Sequence, residues 1–121
     1  MSVIRYLLDE NIDPVFLKGL NRRAPGIIVR HVGGPGAPPL GTLDPDILLW
    51  IEAEDFILVT NNRHSMPGHL RDHLAAGQHI PGIFLLNDNM SIGQTIDELI
   101  LIQGTAMPEE YVDQIKHLPI S

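Results

Sequence analysis

Four apolar runs punctuate this chain, at residues 3–8, 27–32, 56–60 and 82–86, and each is followed by residues in helical spacing. Such a run, rich in Val, Ile, Leu and Phe, reads as a strand buried on both faces, and a strand-then-helix rhythm sustained four times calls for a parallel sheet covered by helices. Right-handed crossovers leave few topologies for it. The expectation is one α/β domain over residues 1–121, a three-layer α/β/α sandwich with a mainly parallel sheet.

The helices announce their ends. Asp13-Pro14 and Asp44-Pro45 both set a capping acid before a proline, which predicts helices opening at those points. The first carries Val15, Phe16 and Leu20 on one side and is stopped by Ala24-Pro25-Gly26; the second presents Ile47, Leu48 and Ile51, with Trp50 nearby. A third spans about residues 67–76. Ser91 caps a last long helix striped by Ile92, Ile96, Leu99 and Ile100, with Gly104 placed to end it. Tyr111, Ile115 and Leu118 fall at helical spacing, so residues 105–121 are expected to form a C-terminal helical extension docked on the domain or on a second copy. The Gly/Pro-rich residues 33–43 are expected to be a mobile loop.

Composition narrows the function classes. The chain has 121 residues, 44% of them apolar and 19% charged, which suits one folded domain. It contains no Cys, so disulfides, thiolate zinc sites and cysteine nucleophiles are excluded. The opening Met-Ser-Val-Ile-Arg lacks a signal-peptide layout and no apolar run approaches a membrane span, so a cytoplasmic protein with no membrane partner is expected. A formal net charge of −7 argues against nonspecific coating of nucleic acid, though not against a local grip on one strand.

Chemistry gathers at the strand ends. The first run stops at Asp9-Glu10-Asn11, the third at Asn61-Asn62 and the fourth at Asn87-Asp88-Asn89. In an open parallel sheet these lie on the ligand-binding edge, and Asp46 in the first turn of its helix can point at the same crevice. Clustered carboxylates stay ionised together when a cation holds them, and oxygen ligands suit Mg²⁺ or Mn²⁺. Such an ion can activate water and neutralise a phosphodiester. The plainer alternative is that Asp9 and Glu10 only cap a helix and Asp46 only favours its dipole.

Leu7-Leu8-Asp9-Glu10-Asn11, then Asp44-Pro45-Asp46-Ile47-Leu48 after a glycine-rich loop, then Ile57-Leu58-Val59-Thr60 closing a strand, together resemble small bacterial PIN-like proteins over about residues 3–100. The resemblance implies a three-layer α/β/α fold, a Mg²⁺- or Mn²⁺-dependent ribonuclease site of acidic residues, and service as the toxin of a toxin-antitoxin pair. By position, Asp9 matches the first metal-binding acid and Asp46 the second. Where relatives carry acids after the strand-ending Thr, this chain has Asn62 and His64. Asparagine offers a neutral carbonyl but no charge and no base. Glu10 or Asp88 is the candidate replacement.

Arg63, His64, His69, Arg71, His73 and His79 crowd 17 residues that contain one acid, Asp72. This rim suits RNA phosphates, with Arg63, His64 and His69 as the contacts. His69 and His73, at i and i+4, also have transition-metal spacing, and a solvated helix face is the plain alternative. A phosphate-accepting receiver domain is disfavoured, because Arg63 stands where its acceptor Asp belongs and the only lysines are Lys18 and Lys116. The resulting expectation is a metal-dependent RNA endonuclease, catalytic residues Asp9, Glu10, Asp46 and Asn62, metal on Asp9 and Asp46, with an antitoxin as partner. The alternative is a catalytically weakened fold that binds RNA or protein. The broad apolar face near residues 96–102 raises a homodimer as a further expectation.

Overall fold

The computed structural model describes residues 3–120. The elements run β1 (Tyr6–Leu8), α1 (Pro14–Arg23), β2 (Val29–His31), α2 (Asp44–Glu54), β3 (Ile57–Thr60), α3 (Met66–Ala75), β4 (Ile83–Leu85), α4 (Ile92–Thr105), a 3-10 turn (Pro108–Tyr111) and β5 (Ile115–His117). All strand pairs are parallel, in the order β2-β1-β3-β4-β5. The three inner strands are buried throughout and the two edge strands are only half covered. This is the expected α/β/α sandwich.

Alternation along each strand divides the core. Tyr6, Leu8, Val59 and Phe84 face Leu20 of α1 and Ile96, Leu99 and Ile102 of α4. Leu7, Leu58, Ile83 and Leu85 face Ile47, Leu48 and Ile51 of α2 and Met66 and Leu70 of α3. Gly19 turns its bare Cα toward Ile96, where an added Cβ would collide, so α1 and α4 approach closely. The Tyr6 hydroxyl donates to the Leu99 carbonyl at 2.7 Å, fastening β1 to α4. Burial pushes that phenol far above its usual range, so it remains a donor.

Chain direction creates the crevice. From β1 the chain crosses outward to β2, then returns to β3 on the other side of β1. The loops after β1 and β3 therefore leave to opposite faces, and the gap between them lies at the carboxyl ends of these strands.

One expectation is corrected. The helical extension expected over 105–121 is not what the described residues form: after Thr105, the end of α4, they make the short 3-10 turn and then a fifth parallel strand, Ile83 aligning with Ile115 and Leu85 with His117. Asp113 at φ 62° breaks any helix between Tyr111 and Ile115, and it binds Ile80 twice, N–H to carbonyl at 2.9 Å and Oδ1 to N–H at 2.8 Å. Residues 33–43 form the expected loop and carry hydrogen bonds of their own, with Arg30 Nη1 donating to the Gly36 carbonyl at 2.7 Å and the Gly33 N–H to the Pro38 carbonyl at 2.7 Å. No helix among the described residues is long and apolar enough to cross a membrane.

Candidate functional site

The carboxyl edge is organised by a relay of hydrogen bonds. Asp9 leaves β1 with its N–H on the Val59 carbonyl at 2.9 Å, so its side chain meets β3. Thr60, fully buried at the end of β3, donates Oγ1 to Asp9 Oδ2 at 2.7 Å. The same hydroxyl accepts the Asn62 N–H at 3.1 Å. Asn62 Nδ2 then donates to Asp44 Oδ2 at 2.9 Å. Asp9 and Asp44, thirty-five positions apart, are thus joined through two intervening residues, the Thr60 hydroxyl and the backbone and side-chain amides of Asn62.

Asp44 occupies this place because it does not cap its helix. The N-cap of α2 is Leu43, which has no polar side-chain atom to cap with, and Asp44 and Pro45 are the first helical residues. With the cap role vacated, the Asp44 carboxylate is free to turn to Asn62 and to His69, whose Nε2 lies 3.6 Å away. Partial burial pushes the Asp44 carboxyl up, and the charge of Asp9, with a smaller push from Glu10, adds to it; His69 and the Asn62 amide act in the opposite sense.

The expected residues divide accordingly. Asp9, Asn62 and His69 come together. Asp46 does not join them: it is exposed, and no side-chain hydrogen bond or ion pair of Asp46 is found among the described residues. Asp44 takes the second acidic position instead. Glu10 turns aside, accepting the Gly41 N–H on Oε1 at 2.9 Å, which ties the glycine-rich loop to the edge. Arg63 is held by one bond from Nη2 to the Leu86 carbonyl at 2.6 Å, and its neighbour His64 is exposed. His69 and His73 face different partners, since His73 Nε2 is 2.8 Å from Glu52 Oε1 and 3.1 Å from the His79 carbonyl. They are not a shared ligand pair.

Three contributors escaped the sequence reading. Thr60 is one, and its signal is a hydroxyl on the last residue of a buried strand. Ser65 is the second: its Oγ accepts from Asn62 Nδ2 at 2.7 Å and its N–H donates to Asn62 Oδ1 at 3.3 Å, fixing the amide plane. His31 is the third, with Nε2 3.0 Å from the Asp9 carbonyl. It ends β2 beside Leu8, a placement that only the strand register reveals.

The donor chemistry bears on whether a metal belongs here. Among the described residues no three His, Cys, Asp or Glu side chains form a metal-holding group. Mg²⁺, however, commonly keeps several waters and takes only one or two protein carboxylates. Asp9 and Asp44 offer hard carboxylate oxygens and are linked through Thr60 and Asn62 at one edge of the sheet, so the residues fit such a cation in donor type. No family model, curated protein sequence or solved structure matches the chain.

Proposed function

We propose that the chain is a PIN-like, Mg²⁺- or Mn²⁺-dependent ribonuclease whose site is the β1/β3 edge. The observation that supports this most is the Asp9–Thr60–Asn62–Asp44 relay, which brings two distant carboxylates to the switch point of a parallel sheet. Asp9 and Asp44 would hold the ion, which when bound supplies charge neutralisation to a phosphodiester and an activated water. Thr60 and Asn62 position the two acids. Arg63, with donors to spare beyond its bond to Leu86, supplies the cation facing phosphate, and His69, beside Asp44, a ring nitrogen within reach of it. Service as a toxin restrained by a partner protein belongs to the same proposal.

A second reading has its own observation. The Asn62 amide already gives Asp44 a donor where a carboxylate would have demanded a cation. On that reading the edge binds RNA or a partner protein without cutting. Isothermal titration of Mn²⁺, with RNA cleavage assayed on the same samples of wild type and Asp9→Asn, decides between them. Binding and cleavage that vanish together in the variant support the ribonuclease. Absence of both in the wild type at millimolar metal rejects it.

A further inference from the structure

On the other side of the β1/β3 edge from Asp44 lies a pocket of about 300 Å³. Its floor is apolar, made by Phe16 of α1 with Leu86 and Met90 beyond β4, and its rim carries the amides of Asn11, Asn61 and Asn87 together with the carboxylates of Asp13 and Asp88. These asparagines follow three different strands, β1, β3 and β4, so the sheet itself converges them. Asn87 Oδ1 accepts the Asn89 N–H at 2.9 Å, which orients its amide nitrogen away from its own turn. Asn11 and Asn61 are exposed.

The pocket is continuous in sequence with the carboxylate site. Asn11 follows Glu10, Asn61 precedes Asn62, and Arg63, bonded to the carbonyl of the floor residue Leu86, lies between the two. An apolar and aromatic floor under a rim of amides and two carboxylates, with no cationic lining side chain, is suited to a flat ring that bears no negative charge and donates hydrogen bonds from its edge. Single-stranded RNA offers such a ring next to each phosphate, stacked on aromatic side chains and read along its polar edge. The lining carboxylates and amide oxygens accept from an exocyclic amine, which adenine carries and uracil, with carbonyls in its place, does not. The volume sits at the small end of ligand pockets, enough for one base and not for a stack of several.

We infer that this pocket seats one unpaired nucleobase, adenine preferred, of an RNA strand whose adjoining phosphate lies at Asp9 and Asp44. The inference rests on the ribonuclease reading for its phosphate and adds what that reading lacks, a source of base selectivity. A bound strand crosses the carboxyl edge from the amide rim, past Arg63, to the acidic side.

The test uses fluorescein-labelled single-stranded octamers of adenines, of uracils, and of abasic residues, titrated with the whole protein in EDTA at fixed salt. The adenine octamer is expected to bind roughly tenfold tighter than the abasic one, with uracil between. Asn61→Leu, which removes one reader, and Asn11→Trp, which fills the pocket from its rim, are expected to abolish that difference. Both positions are exposed, and a thermal melt matching the wild type shows that the fold is kept. Equal affinity for all three octamers, or discrimination unchanged in both variants, overturns the inference. The two readings fail separately: base discrimination in EDTA without Mn²⁺-dependent cleavage removes the nuclease and leaves the pocket, whereas cleavage indifferent to base and to both substitutions removes the pocket alone.

Discussion

Asn62 donates its side-chain amide to Asp44 at 2.9 Å, so a neutral residue from the β3 loop stabilises a carboxylate at the start of α2. Replacing the amide with a carboxylate, Asn62→Asp, turns that attraction into repulsion and adds a third oxygen-bearing charge. In EDTA the variant is expected to lose about 1–3 kcal/mol of stability. Mn²⁺ is expected to restore it, with affinity raised on the order of tenfold or more over the wild type. Thermal melts with and without Mn²⁺ check both halves.

Thr60 is the buried joint of the relay, donating to Asp9 and accepting from Asn62. Thr60→Val keeps its shape and removes both bonds, leaving the Asn62 N–H and one Asp9 oxygen unmet. A loss of about 1–3 kcal/mol is expected in urea unfolding. Thr60→Ser, which keeps the hydroxyl, is expected to recover most of it. Little loss in Thr60→Val with the larger loss in Thr60→Ser would mean that methyl packing, rather than the hydrogen bonds, is what Thr60 supplies.

The His79–Asp113 pair latches β5 to the turn before β4, with Nδ1 and Oδ2 2.7 Å apart. The hydrogen bond and charge of Asp113 raise the His79 value. Partial desolvation pushes Asp113 up, but the bonds from His79 and the Ile80 N–H outweigh it and the net direction is down. A raised histidine contributes stability below its unfolded value, lost as pH rises through the folded one. A lowered aspartate contributes above its unfolded value, lost as pH falls through the folded one. The latch therefore holds between ordinary aspartate and histidine values and weakens on either side. Urea midpoints of wild type and His79→Gln across pH are expected to diverge most near pH ~5 and to converge above pH ~8.

Two glycines separate a required absence of Cβ from an incidental one. A Cβ on Gly82, at φ 152°, would meet the Tyr111 Cβ and carbonyl oxygen at 3.0 Å, where β4 passes the 3-10 turn. Gly82→Ala is expected to cost about 1–3 kcal/mol. Gly104, in α4, has nothing within 4 Å of an added Cβ. Gly104→Ala is expected to stabilise by about 0.5–1 kcal/mol. Denaturant midpoints moving in opposite directions confirm the contrast.

The four inner turns of the β-α rhythm were legible because each strand is a continuous apolar run and each helix carries its own end signals. The fifth strand was not. Ile115-Lys116-His117 is short and sits on an edge, and Tyr111, Ile115 and Leu118 happen to match a helical stripe. Only the left-handed Asp113 and its bonds to Ile80 break that pattern. In the site, Asp9 was legible as the acid ending a buried strand. The choice between Asp44 and Asp46 turned on which residue caps α2, and Leu43 does so with backbone alone, leaving Asp44 inside the helix and its carboxylate available. Thr60 and His31 touch Asp9 through strand pairing across long stretches of sequence. Such non-local register leaves little trace in local pattern.

The claim that Asp9 and Asp44 form the working pair is tested most directly by titrating Mn²⁺ into wild type, Asp44→Asn and Asp46→Asn, with RNA cleavage measured on the same samples. The account predicts that Asp44→Asn loses both binding and cleavage while Asp46→Asn keeps both. Loss in Asp46→Asn with Asp44→Asn unaffected would contradict it.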